Sequence, residues 1–253
     1  EIMKTLRGAK NSTVKLGVQR GNSPELLYFD VTRGDVPVNS VDVSFEAAKG
    51  IGYIKVSKFA RNTYNEFITA IAKLKQAGCT SFVIDLRGNT GGYMDAAINM
   101  INEFMPEGRL IVYTEGKSFP RSDVYANGTG TCKDAPIVVL TDEISASASE
   151  IFSGAIQDND RGTIIGRRTY GKGLVQTQMS LSDGSEMRLT IARYYTPSGR
   201  CIQKKYEMGN TDAYDQDIYN RYMHGEFDSA DSIKMDDSLK YQTVGGRTVY
   251  GGG

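Results

Sequence analysis

Two stretches of this chain run in the same order, a short apolar segment, a turn of small residues and an amphipathic helix, and that repeat leaves little freedom of fold class. Ser81 to Leu86 (Ser-Phe-Val-Ile-Asp-Leu) is strand-like, Arg87 to Gly92 (Arg-Gly-Asn-Thr-Gly-Gly) is a turn, and Met94, Ala97, Ile98, Ile101 and Phe104 recur at helical spacing. Pro136 to Thr141 (Pro-Ile-Val-Val-Leu-Thr) suits a buried strand, and Ala148, Ile151, Phe152, Ala155 and Ile156 follow at helical spacing, with Ser147 at the helix entrance. Upstream, Gly52 to Val56 reads as a strand. Thr63-Tyr64-Asn65-Glu66 has capping-box spacing and opens a helix through Phe67, Ile71 and Leu74 that stops at Gly78. Strands are expected to alternate with helices through Ile156. Beyond Arg161 the pattern turns to β, over Thr163 to Ile165, Leu174 to Leu181 and Met187 to Tyr195, ending in a Pro197-Ser198-Gly199 turn. The order implies an α/β domain with a twisted sheet.

The chemistry-bearing residues sit at the edges of these elements. A serine hydroxyl needs a neighbour to take its proton, most often histidine. This chain has one histidine, His224, in a polar, acidic stretch. Ser147, within Ser-Ala-Ser-Ala-Ser-Glu, and Lys172, within Tyr-Gly-Lys-Gly, then read as a serine nucleophile with a lysine base. An amine with an ordinary pKa of about 10.4 serves as a base only when desolvated, at about 4 kcal/mol of differential cost to the ammonium. Gly171, Gly173, Leu174 and Val175 around Lys172 allow this, and the nearest downstream carboxylate is Asp183. On a strand, Gln176 would share a face with Lys172 and could orient the amine without stabilising its charge. Without that setting, Ser-Ala repeats read as ordinary helix and Gly-Lys-Gly as a solvated turn.

Backbone N–H groups at a helix entrance have no intrahelical partner, so the Ala148 N–H is a candidate oxyanion donor beside Ser147. The glycine turn offers a second, from Gly91 or Gly92, because glycine lets another backbone approach closely. As a phosphate loop the same turn lacks both the Walker lysine and the dinucleotide spacing.

Four segments together, Asp-Leu-Arg-Gly-Asn-Thr-Gly-Gly, Ser-Ala-Ser-Ala-Ser-Glu-Ile-Phe-Ser-Gly-Ala-Ile-Gln-Asp, Gly-Arg-Arg-Thr-Tyr-Gly-Lys-Gly-Leu-Val-Gln and Tyr-Tyr-Thr-Pro-Ser-Gly-Arg, resemble the bacterial C-terminal processing (tail-specific) serine proteases, from about Asp42 to Gln203. The resemblance implies a Clp protease/crotonase-like sheet with flanking helices. It maps the nucleophile to Ser147 rather than Ser145 or Ser149, the base to Lys172 and the orienting amide to Gln176. The oxyanion donors map to Ala148 and to Gly91 or Gly92. It implies no metal and no cofactor, protein or peptide substrates with extended C-terminal tails, and export to the bacterial cell envelope (periplasm). At the N-terminus, a helix end at Ile2, Met3 and Leu6 and strands at Thr13 to Val18 and Leu26 to Val31, with Gly21-Asn22 between them, are similar to the C-terminal half of a PDZ domain. The first half is absent, so the chain reads as a piece of a longer protein; the alternative for residues 1–35 is a small hairpin extension.

The expected partition is therefore a partial PDZ domain over 1–35, a protease core over 36–205 and an acidic extension over 206–253. In Glu207 to Ser238, nine Asp or Glu face only Arg221 and Lys234, which reads as a solvated segment with two or three short surface helices. Thirty basic residues balance thirty acidic ones, which supports no nucleic-acid or membrane partner. No apolar run reaches the roughly 18 residues of a transmembrane helix. Cys79, Cys132 and Cys201 lack metal-site spacing and read as free thiols. A homo-oligomer stays open. So do two other function classes, a crotonase-like acyl-thioester enzyme, for which no coenzyme A signature is present, and a catalytically idle or resting protease-fold binding protein.

Overall fold

The computed structural model describes residues 2–21, 23–35, 39–206, 209 and 211–253. They fall into two compact units, Glu1–Val38 and Asn39–Gly253. In the first, α1 (Ile2–Leu6) precedes an antiparallel hairpin of β1 (Thr13–Gln19) and β2 (Leu26–Thr32), in register from Thr13 opposite Thr32 to Gln19 opposite Leu26. The Arg33 guanidinium ties helix to hairpin by donating to the carbonyls of Leu6 (2.8 Å) and Thr5 (3.1 Å) and to the Ser12 hydroxyl (2.9 Å). The turn residue Asn22 lies outside the described residues.

The second unit is mixed α/β. Its main sheet has the order β3 (Val41–Ala48), β4 (Ile51–Val56), β5 (Ser81–Asp85), β8 (Ile137–Thr141), β9 (Thr163–Gly166); β3 is antiparallel to β4 and the other four strands are parallel. The parallel strands are linked through α2 (Thr63–Gln76), α3 (Met94–Asn102) and α4 (Ala148–Asp158). Ile54, Val56, Phe82, Ile84 and Val139 from the sheet and Phe67, Ile71, Met100, Ile101, Ile151 and Phe152 from the helices form one buried core. Phe104 sits at its centre, edge-on to Phe67, Phe82 and Phe152 with centroids 6.2 to 6.5 Å away. Buried residues alternate along β4, with Gly52, Ile54 and Val56 facing the core.

A second, antiparallel sheet has the order β10 (Leu174–Ser180), β11 (Glu186–Tyr195), β6 (Leu110–Gly116), β7 (Phe119–Tyr125). Helices α5 (Thr211–Asp215) and α6 (Asp217–Met223) follow, and β12 (Lys240–Gln242) pairs with β13 (Thr248–Tyr250) near the end of the chain.

Three expectations are corrected. The β6–β7 hairpin interrupts the alternation of strand and helix between α3 and β8. The Thr63–Glu66 capping box does not form, because the Thr63 hydroxyl accepts from the Ala60 N–H (2.7 Å) and the Glu66 carboxylate from the N–H groups of Ser40 (2.6 Å) and Val41 (3.0 Å). Residues beyond 205 are not simply solvated. Arg221, Thr243 and Val249 are buried, and the Arg200 guanidinium joins the Asp158 carboxylate at the end of α4 to the Tyr250 carbonyl.

Candidate active site

Parallel strands deliver their following turns to one edge of a sheet, the edge where α/β proteins place their sites. Here that edge carries Arg87–Gly92 after β5, Asp142–Ser147 after β8 and Arg167–Gly173 after β9. The first two are locked together through Asn89, which is fully buried. Its amide donates to the Val56 carbonyl (2.9 Å), its side-chain oxygen accepts the Gly91 N–H (2.8 Å), and its own carbonyl accepts the Ala146 N–H (3.0 Å) and the Ser149 hydroxyl (2.9 Å).

The turn after β5 has a charged anchor. Asp85 is buried and accepts from the Tyr53 hydroxyl (2.6 Å), the Arg87 guanidinium (2.7 Å) and the Lys55 ammonium (3.3 Å). Burial alone would raise the Asp85 pKa, but these donors hold it well below the usual carboxylate range.

The three serines of the Ser-Ala-Ser-Ala-Ser motif differ in surroundings. Ser145 and Ser149 are fully buried, and their hydroxyls donate to the carbonyls of Leu86 (2.8 Å) and Asn89 (2.9 Å). Ser147 is only half-buried, and its backbone sits at φ 57°, ψ −112°, a region that a residue with a side chain occupies at a cost of about 1–3 kcal/mol. It is the N-cap of α4, on the sharp strand-to-helix bend that suits a nucleophile.

Glycine turn and helix entrance are in direct contact. A Cβ on Gly91 would stand 2.8 Å from the Ser147 Cβ and 3.0 Å from the Ala148 nitrogen, and one on Gly92 would stand 2.0 Å from the Phe59 carbonyl oxygen. With φ of +98° and +142°, neither position accepts a side chain. Among the described residues, the Ala148 and Gly92 N–H groups have no hydrogen-bond partner, whereas the Gly91 N–H is taken by Asn89.

Glu150, which the sequence reading overlooked, joins this entrance to the Lys172 loop. Its carboxylate is buried and accepts four donors, the Ser147 N–H (2.7 Å) and Lys172 N–H (2.8 Å) on one oxygen and the Thr169 hydroxyl (2.7 Å) and Gly171 N–H (2.6 Å) on the other. Burial pushes its pKa up, against those four hydrogen bonds, which all favour the ionised form. The signal was present, since Ser147-x-x-Glu150 has capping-box spacing. The fold also supplies the carboxylate near Lys172 that chain order did not show.

The Lys172 backbone is fixed but its side chain is exposed and makes no hydrogen bond or ion pair, to Ser147 or to any other described residue. The expected burial of the amine is not met in this arrangement, because the residue is exposed. Its flanking glycines are buried rather than solvated. A Cβ at Gly173 would stand 2.4 Å from the Gln203 nitrogen, and the Gly173 N–H donates to the Gln203 side chain (3.0 Å). Gln176 is exposed and does not continue a strand face from Lys172, because β10 begins at Leu174 and its register slips by a bulge between Val175 and Gln176. His224 is exposed and its ring nitrogen lies 2.6 Å from the Asn220 carbonyl.

The sequence model of peptidase family S41 matches residues 50–212, more than half of the chain. The chain belongs to peptidase family S41. That span includes the glycine turn, the Ser147 helix entrance and the Lys172 loop. The chain is 36% identical over 207 residues to a carboxyl-terminal-processing protease of Synechocystis sp., covering 81% of this chain and 48% of that protein. It is likewise 36% identical over 206 residues to one of Picosynechococcus sp., covering 81% and 49%. Among solved structures it is similar to a photosystem II D1 C-terminal processing protease, with a TM-score of 0.60 and 32% identity over 78% of this chain and 54% of that one. This S41 chain thus spans about half the length of the curated relatives it matches.

Proposed function

We propose that this chain is the catalytic part of a serine endopeptidase that cleaves proteins near extended, unstructured C-terminal tails. The observation that carries the reading is a half-exposed serine on strained backbone with two unpartnered N–H groups beside it, Ala148 on its own helix and Gly92 on the turn packed against it. Ser147 attacks the peptide carbonyl carbon while its proton passes to Lys172, and the resulting oxyanion is held by the Ala148 and Gly92 N–H groups. The C–N bond then breaks, Lys172 returns the proton to the leaving amine, and water hydrolyses the acyl-serine with Lys172 again as base. By resemblance to the family, Gln176 would orient the amine once the Lys172 side chain has swung over the site.

Lys172 needs only side-chain rotation and cover to take this role, because its N–H and that of Ser147 share one Glu150 oxygen and its stem is long and flexible. A substrate lying over the site supplies the cover. The edge strand β10, which starts two residues after Lys172, suits such a substrate by strand addition. The bacterial relatives and the hairpin unit over residues 2–35 fit a cell-envelope protease with a PDZ remnant.

The exposed Lys172 side chain also favours a second reading, a resting form that turns over only when the amine is covered. Wild type, Ser147→Ala and Lys172→Ala incubated with an unfolded protein bearing an apolar tail test both. Cleavage by wild type alone is expected; equal cleavage by Ser147→Ala removes the protease. A silent wild type whose Ser147 reacts with a fluorophosphonate only after an apolar tail peptide is added is the resting form. Thioester hydrolysis by all three would favour the crotonase-like class.

A further inference from the structure

The Lys172 loop is gripped from two sides, and the second grip comes from the acidic C-terminal segment. On one side the Glu150 carboxylate collects the loop's donors, at Thr169, Gly171 and Lys172. On the other, Arg221 of α6, only 4% exposed, collects its acceptors: the guanidinium donates to the Thr169 carbonyl (2.9 Å) and to the Arg168 carbonyl. Its third donor goes to Glu226 (3.2 Å), whose carboxylate also pairs with the Arg168 side chain (3.1 Å). One carboxylate therefore keeps two neighbouring guanidinium groups in place, and the two terminal nitrogens of Arg221 are aimed at main chain. The adjoining Phe227 adds a further tie, its carbonyl accepting from Arg167 (3.3 Å) at the start of the loop.

A planar guanidinium donating from its two terminal nitrogens to successive carbonyls fixes a peptide's position and tilt, which a single ammonium cannot do. The carbonyls it holds lie three and four residues before Lys172. With one end of the loop held by Arg221 and the other by Glu150, the Lys172 Cα has no freedom to move away from Ser147 while its side chain remains free to swing.

We propose that Arg221 is a positioning residue for Lys172, and that the acidic segment carrying α6 is a working part of the active site rather than a solvated tail. The inference rests on Lys172 acting as the base. If segment 211–228 detaches, the loop loses its acceptor-side grip and the base loses its station, while Ser147, held by α4 and Asn89, keeps its own.

The test compares Arg221→Gln and Arg221→Lys with Arg247→Gln, which removes another cation of the C-terminal region, one paired with Asp160 away from the loop. Two readouts are taken on the full chain: amide hydrogen exchange at Gly171 and Lys172, and kcat and KM for tail cleavage. Arg221→Gln is expected to speed exchange at those amides at least tenfold beyond any global change and to lower kcat about 30-fold with KM within twofold. Arg221→Lys should lie between it and wild type, and Arg247→Gln should match wild type in both readouts. Exchange at Gly171 and Lys172 that is unchanged, or raised only in step with the whole domain, would overturn the proposal, as would faster exchange with full kcat. A wild type that cleaves nothing, with a Ser147 that stays unlabelled by a fluorophosphonate even when tail peptide is present, would strike the proteolytic reading instead, and the exchange data would still decide whether Arg221 holds the loop.

Discussion

The two halves of the candidate site are built in opposite ways. Ser147 opens a helix whose residues Ile151, Phe152, Ala155 and Ile156 are fully buried, and its strained backbone is over-determined by the core beneath it and by Glu150 three residues on. Lys172 lies in a loop outside regular structure, tethered by Glu150, Gln203 and Lys204 and through Arg221, all distant in sequence, with an unattached side chain. The proposed nucleophile is preorganised by local packing and the proposed base by remote tethers. If that proposal holds, covering or uncovering Lys172 changes reactivity without disturbing the core.

The largest expected effect tests whether both halves serve one reaction. Ser147→Ala and Lys172→Ala should each lower tail cleavage by about 10⁴-fold, while leaving the thermal midpoint within a few degrees because Lys172 is exposed and Ser147 keeps its Cβ. Ser145→Ala should do the reverse, since its buried hydroxyl joins β8's turn to Leu86. Glu150→Gln strikes the link between the halves. An amide cannot accept four donors, so about 2 kcal/mol of stability should be lost, with cleavage down about 100-fold and exchange faster at both the Ser147 and Lys172 amides.

Asp85→Asn probes the nucleophile side through its glycine turn. Because the folded-state pKa is depressed, the contribution of Asp85 to stability is full above the ordinary aspartate value of about 3.9 and is lost as pH falls through that value toward the lowered one. The variant should lose roughly 2 kcal/mol at neutral pH, by taking the charged acceptor from Tyr53, Arg87 and Lys55, and show a flatter acid limb in denaturation against pH. The smallest effect is expected for Gln176→Ala, about fivefold to tenfold in kcat, the worth of one neutral hydrogen bond.

Much of this was legible before any coordinates. Both strand–turn–helix units formed where apolar spacing placed them, because β5, β8, α3 and α4 bury their own apolar residues and need no distant instruction. The capping box at Thr63 failed because Glu66 found the backbone of Ser40 and Val41, a tertiary competitor that no local pattern reveals. The acidic segment misled for a related reason. Composition averages over residues, whereas one buried residue, Arg221, ties that segment to the Lys172 loop.

The sequence by itself determined the fold class, the kinship with family S41 and the placing of Ser147 at a helix entrance, since each follows from residues near one another in the chain. Tertiary structure alone decided that Gly92 rather than Gly91 has the unpartnered N–H, that Glu150 ties serine to lysine, and that the amine stands in solvent. Those outcomes depend on which groups from separate turns reach one another first, and hydrogen-bond competition of that kind is settled only when the strands have brought the turns to a common edge.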